Sequence, residues 1–382
     1  MTLARRNICL IAAAAAALSA TALIPGRAAA VATAGHSDTP TTTLQVVATG
    51  LNVPRGLVYD REHNRLLIAE SGVAAGNNGP CATGAGGQML CYGATGSVYS
   101  FPLGQNGQAG RIVTGLPSIS DSGKKFVKGL EGLSLYCGRL SGVFSLSGPL
   151  ATRTGLGPGA ADLGQAVVFG QDGTVTPIAD IAAKEAQLYG ADMVSDPWGI
   201  STGDFGAVIA NSEGTPPAGS EFGGNDILQL KGGELTQMVA FPQRVDQNGV
   251  VEAGPATVVR GPDGAFYVGE LTSFPYYVGE ARIWRVVPGQ APTVFGSGFT
   301  KIIDIAFDSH GRMLVLEVGK QHMDGALIRI DRNGTQTVLA STGLTDTGGI
   351  AVVNDHTFYI TNFTGGVGGD GQLVKITVND GD

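Results

Sequence analysis

The chain has 382 residues, 60 of them Gly, with 15% charged and 7% aromatic residues and a formal net charge of −8. An ordinary globular chain has about 25% charged residues and about 7% Gly, so long helical bundles and coiled coils, which need Ala, Glu, Lys and Leu at helical periods, are excluded. Its 43% hydrophobic residues exclude disorder, and a pI near 5.1 without a Lys/Arg stripe excludes nucleic acid as a partner.

At the start of the chain Arg5 and Arg6 precede ICLIAAAAAALSATALI, and small residues follow from Arg27 to Ala32. A charged start, a short apolar core and an A-x-A-like exit predict a cleaved secretory signal over residues 1–30, too short and Ala-rich for a membrane span. Residues 31–43 are Ala, Thr, Ser and Pro without periodicity and read as a disordered linker. Loss of the signal removes Arg5, Arg6 and Arg27 and no acid, leaving 21 bases against 32 acids, a net charge of −11. The expectation is an acidic, monomeric protein, secreted or kept in the periplasm or cell envelope, with no transmembrane segment after cleavage.

Export sets how the cysteines are read. Cys81 and Cys91 bracket the Gly-rich CATGAGGQMLC, and in an oxidising compartment a loop-closing disulfide is expected. Cys137 is then left over and reads as a small buried apolar residue. No C-x-x-C with a nearby His completes a zinc set.

From Pro54 onward one pattern recurs: an apolar run, a polar turn, and a second apolar run ending on a polar residue. PRGLVYDREHNRLLIAE, DPWGISTGDFGAVIAN, ATVVRGPDGAFYVGE, IIDIAFDSHGRMLVLE and TGGIAVVNDHTFYITN are the regular copies, and KGLEGLSLYCGRLSGVFSLSG is a less regular one. Such runs flanking Asp, Asn and Gly turns are hairpins. A third and a fourth strand follow most of them, for example NDILQLK and LTQMVAFP. Four strands per copy in six copies predict an all-β, six-bladed β-propeller with four-stranded antiparallel blades over residues 44–378, and a tail at 379–382. The last copy lacks a fourth strand, and QVVATGL at 45–51 supplies one, closing the ring and removing exposed edges.

The runs GLNVPRGLVYD, DPWGI, NDILQL, VVRGPDGAFYVGELTSFP, IIDIAFDSHGRMLVLEVG, GALIRI and GGIAVV resemble the ScyD/ScyE family, related to NHL-type six-bladed propellers, over about Leu44 to Val378. GPDGAFYV with GELTSFP is the most specific part. The resemblance implies a propeller fold and export; it brings no catalytic residues with it.

Counting six residues from each inner hairpin turn lands on Glu70, Asn211, Glu270, Glu317 and Asn362, with Ser145 the nearest match in the second copy. In register these polar groups fall at one end of the second strands. A ring of such oxygens suits a divalent cation such as calcium, with Glu70, Glu270 and Glu317 as ligands, or the hydroxyls of a polar ligand. Structural bonding between neighbouring blades is the other reading. Asp304 aligns with Gly56, Gly132, Gly199, Thr257 and Gly349, so one blade carries a carboxylate where the rest keep a small residue. Arg55, Glu131 and Trp198 lie beside that position and add a base, an acid and an aromatic face. Asp304 then either binds a ligand or is satisfied by nearby backbone amides.

Long loops at 71–96, 212–224 and 271–280 leave from one end of their blades, and Phe274, Pro275, Tyr276 and Tyr277 offer stacking planes or a lid. GISTG and GVGGDG match hydrolase and dinucleotide signatures, but each opens into a strand instead of a helix and is discounted. The expected function is therefore an exported binding module for a small molecule, glycan or protein at the loop-rich mouth. The alternatives are a metal-assisted hydrolase or lyase using the mouth carboxylates, and a structural envelope component.

Overall fold

The computed structural model describes residues 40–74, 79–105, 107–123, 126–212, 222–246, 249–319 and 325–380. The expected signal and most of the expected linker lie outside these. Six antiparallel sheets form a six-bladed propeller. Blade 1 is Pro54–Asp60, Arg65–Glu70, Met89–Pro102 and Gly110–Asp121; blade 2 is Leu130–Tyr136, Arg139–Phe144, Gln165–Phe169 and Val175–Asp180. Blade 3 is Asp196–Gly203, Gly206–Ser212, Asp226–Lys231 and Glu234–Ala240; blade 4 is Pro255–Arg260, Phe266–Glu270, Ala281–Val286 and Thr293–Phe299. Blade 5 is Ile302–Phe307, Met313–Glu317, Ala326–Ile330 and Gln336–Ala340. Blade 6 is Ile350–Asn354, Thr357–Asn362 and Gly371–Asn379, completed by Thr41–Leu51.

The closing strand pairs from Thr41 opposite Asn379 to Leu51 opposite Gly371. It begins earlier than the expected Gln45 and takes in the last residues of the expected linker, because Thr41 to Thr43 pair with Asn379 to Thr377 at the end of the third strand of blade 6. The second strands are the most apolar, and Arg65–Glu70 and Met313–Glu317 are buried nearly throughout, since neighbouring blades cover them on both faces. Core clusters accordingly join adjacent blades, for example Leu314 and Leu316 of blade 5 with Phe358 and Ile360 of blade 6.

Around the axis the six aligned positions touch in a closed ring. A Cβ on Gly132 would lie 2.5 Å from the Trp198 carbonyl oxygen, and one on Gly349 would lie 2.8 Å from Gly56 Cα. A Cβ on Gly56 or Gly199 would lie 3.0 or 2.9 Å from the next blade's backbone. Side chains appear only where bonding replaces contact: Thr257 Oγ1 donates to Asp304 Oδ1 at 2.8 Å, and Asp304 Oδ2 accepts from Ile350 N at 2.9 Å. The aligned small residues are thus set by the inward approach of six strands.

Two departures from expectation concern blades 1 and 2. The 71–96 segment is partly strand: Cys81–Thr83 pairs with an outward extension of the third strand, and Cys81 and Cys91 face each other and are disulfide-bonded. Cys137 is not buried; it is exposed in the turn between the first two strands of blade 2, where φ +49 at Cys137 and φ +74 at Gly138 make a tight hairpin. Helix α1 (Leu150–Gly155) and helix α2 (Ile181–Tyr189) pack on the flank of blade 2. Asp180 caps α2 by accepting from Ala183 N at 2.9 Å and pairs with Arg153 of α1.

Candidate functional site at the channel mouth

The polar residues that end the second strands sit at equivalent positions; Glu70, Asn211, Glu270 and Asn362 are buried and Glu317 is half-buried. Glu70 accepts from Arg111 Nε at 2.7 Å, Arg111 Nη2 at 2.8 Å, Ser97 Oγ at 2.5 Å and Asn52 N at 2.7 Å. Glu270 accepts from Arg244, the Trp284 indole and Arg282 N. Glu317 accepts from Thr300 N, Asn362 from Thr345 N, and Asn211 from Asp196 N while donating to the Gly224 carbonyl. Four of the five thereby cap the chain as it enters the first strand of a blade. Burial raises the Glu270 carboxyl against Arg244 and the Glu317 carboxyl against the Thr300 amide. An arginine already supplies the positive charge at Glu70 and Glu270, so their donor set does not fit a calcium ion.

Asp304, Arg55, Glu131 and Trp198 do come together. With the innermost strands they line an axial cavity of about 390 Å³. Asp304 is held by Thr257, Ile305 N and Ile350 N, and burial pushes its carboxyl up to about 6 despite these donors. Arg55 Nε lies 3.0 Å from Glu131 Oε2, and its guanidinium stacks 5.4 Å from the Trp198 ring centre. Burial raises Glu131, with Arg55 opposing. Arg55, Trp198 and Ile303 also floor a second, wider cavity of about 720 Å³ at the mouth.

The mouth cavity is walled by the 71–96 and 271–280 loops, through Ala85, Gly86, Gln88, Leu271 to Phe274 and Tyr276, with Ser212 and Asn225 flanking the third long loop. It holds two lysines that the sequence reading did not single out. Lys128 pairs with Asp196, which is buried and also accepts from Ser145 and from Trp198 Nε1. Lys301, 6% exposed, places its ammonium 4.5 Å from the Tyr276 ring centre. Its ammonium forms no hydrogen bond or ion pair with the described residues; burial lowers the amine below the ordinary lysine range, with the Asp346 charge opposing. A signal was present: counting three residues upstream of the Gly/Asp304 position in every copy gives Val53, Gly129, Asp196, Gly254, Lys301 and Asp346. Four of these, Val53, Gly254, Lys301 and Asp346, have φ between +44° and +57°, the bend that carries the chain from a loop into the innermost strand.

On the opposite face Asp308, His310 and Asp355 place ligand atoms within 4.8 Å of one another, an arrangement that could hold a metal. Asp308 there also accepts from Arg312, and Asp355 from Ser309.

No family model matches the chain, and no curated protein matches it. Solved structures do. A gluconolactonase from Xanthomonas campestris is 11% identical over 90% of this chain and 95% of its own, with a TM-score of 0.53. A glucose dehydrogenase is 15% identical over 87% and 98%, with a TM-score of 0.54. A Thermus thermophilus protein described as a glucose dehydrogenase-type oxidoreductase is 17% identical over 88% and 99%, with a TM-score of 0.52. At these identities the likeness is one of fold alone, that of a six-bladed β-propeller.

Proposed function

We propose that this chain is an exported propeller of the ScyD/ScyE type whose loop-rich mouth binds a small organic molecule bearing an acidic group and a flat ring. The observation that carries the reading is Lys301: a lysine 6% exposed, its ammonium without a hydrogen bond to the described residues, that lines a cavity of about 720 Å³ beside aromatic faces. Arg55 and Lys128 line the same cavity but are neutralised by Glu131 and Asp196, leaving Lys301 as the cation offered to a ligand. Trp198, Phe126 and Tyr276 supply stacking surface, and Phe274, 82% exposed, stands at the rim. The Cys81–Cys91 disulfide and the absence of any helix long and apolar enough to cross a membrane among the described residues are compatible with export.

The test is a thermal-shift and calorimetric screen of aromatic carboxylates against their neutral amides and against neutral sugars. Carboxylates are expected to bind, and Lys301→Met to weaken them by about 10- to 100-fold, as loss of one charge-assisted hydrogen bond implies. Equal binding of acids and amides, or unchanged affinity in Lys301→Met, refutes the reading.

A hydrolase or lyase at the same cavity is the second reading. It is favoured by the lowered pKa of the Lys301 amine, the direction a general base requires. Turnover of the bound carboxylate or of a lactone probe, abolished by Lys301→Met, would select it.

A further inference from the structure

Five charged side chains line the mouth cavity, and two of its bases are already committed, Arg55 to Glu131 and Lys128 to Asp196. The remaining three are Glu252, Lys301 and Asp346, and they come from consecutive blades. Lys301 and Asp346 hold the same position at the entry to the first strands of blades 5 and 6, and Glu252 lies two residues before the corresponding Gly254 of blade 4. The rim over these three blades therefore reads acid, base, acid.

The chain around Glu252 is fastened, whereas its carboxylate is not. Glu252 N donates to Ser273 Oγ at 3.2 Å and Gly254 N to Asn225 Oδ1 at 3.2 Å, while the Ala253 and Gly254 carbonyls accept from Thr272 N and Leu271 N. The Glu252 side chain is half-buried, and its carboxylate makes no hydrogen bond or ion pair with the described residues. Lys301 is built alike. Its carbonyl accepts from Val318 N at 3.0 Å, and its ammonium lies 4.5 Å from the Tyr276 ring centre with no hydrogen-bond partner among the described residues. Glu252 and Lys301 line one cavity without pairing with each other, so each holds its charge on a fixed backbone for a third group. Asp346 is near enough for its charge to act on Lys301.

A ligand with an acid alone answers Lys301 and leaves Glu252 facing a second negative charge. One that also carries an ammonium answers both, and the fixed charges then meet opposite ones. Phe126, Trp198 and Tyr276 give the same cavity its aromatic walls. We infer that the mouth takes a small aromatic zwitterion, a free amino acid or a short peptide, with its carboxylate on Lys301 and its ammonium on Glu252. Asp346 adds to the negative field that favours the ammonium. The inference rests on Lys301 as the acid-binding group and adds the amine contact to it.

The experiment is calorimetry on the purified full chain near neutral pH with four probes that share a phenyl ring: phenylalanine, glycylphenylalanine, 3-phenylpropionate and phenethylamine. One or both zwitterions should bind at least about 10-fold more tightly than either singly charged probe, as one added charge-assisted hydrogen bond implies. The tighter of the two tells a free amino acid from a peptide. Glu252→Gln should erase the advantage and leave 3-phenylpropionate bound no more weakly, whereas Lys301→Met should weaken every carboxylate probe. If 3-phenylpropionate matches both zwitterions, or if Glu252→Gln keeps their advantage, the amine contact is overturned while acid binding at Lys301 stands. If no carboxylate probe binds, or if Lys301→Met binds them as wild type does, acid binding at Lys301 falls and the amine contact falls with it. Should Glu252→Gln fail to fold, N-acetylphenylalanine decides on wild type, because it keeps the ring and acid and loses the ammonium. Affinity equal to that of phenylalanine overturns the proposal.

Discussion

Replacing Asp304 by Asn removes one ionisable group from the axial ring while keeping its size. The folded protein holds this carboxyl at about 6 against an ordinary 3.8, because burial outweighs the donors from Ile350, Thr257 and Ile305. Below 3.8 the group is protonated in both folded and unfolded chains, and its favourable contribution is complete. Between 3.8 and about 6 the unfolded chain releases the proton first, so stability falls as pH rises through this window and is level above it. A shift of roughly two units at about 1.36 kcal/mol each gives about 3 kcal/mol. That figure is an upper limit, because Asp304 is only half-buried and lines the axial cavity. Urea unfolding followed by the fluorescence of Trp198 and Trp284 measures it directly. The advantage of wild type over Asp304→Asn should shrink by up to about 3 kcal/mol from about pH 4 to about pH 7. A difference that is level across that range would show that Asp304 is not titrating inside the ring, and the account of its burial would fall.

Gly132→Ala places a methyl group 2.5 Å from the Trp198 carbonyl oxygen, against backbone that cannot yield without moving blade 3. A loss of about 1 to 3 kcal/mol is expected in the same unfolding assay, whereas Gly173→Ala, in an exposed turn with nothing nearby, should differ only through the strain of its φ of +82°. Removing the disulfide as Cys81→Ser with Cys91→Ser opens a loop of sequence separation 10 and should cost about 3 kcal/mol. Because that loop brings Ala85, Gly86 and Gln88 to the mouth cavity, the double variant should also bind mouth ligands more weakly; unchanged affinity would separate the loop from the site.

The propeller was legible because each blade repeats the same local instructions. An apolar second strand needs cover on both faces, a polar residue caps its end, and a small residue permits the inward approach of the first strand. Those requirements are local and recur from blade to blade, Asp304 being the departure from the small residue, so periodic reading recovered the strands and the closing strand, and the spacing of Cys81 and Cys91 gave the disulfide. Cys137 escaped because nothing in the sequence distinguishes a cysteine at a positive-φ turn from one in the core.

The site divides along the same line. Sequence alone located Arg55, Glu131, Trp198 and Asp304 at one level of the ring, since that level is fixed by strand register. It could not assign what those and the strand-end carboxylates do. Whether Glu70 faces an empty channel or Arg111 from the fourth strand of its own blade depends on a contact across 41 residues. Whether Glu185 lies in water or against Asp226 depends on which face of a nine-residue helix meets the next blade. Composition and periodicity fixed the fold because burial and backbone approach act residue by residue. Only tertiary structure decided the charge partners, because an ionic group's role is set by what the rest of the chain brings within a few ångströms of it.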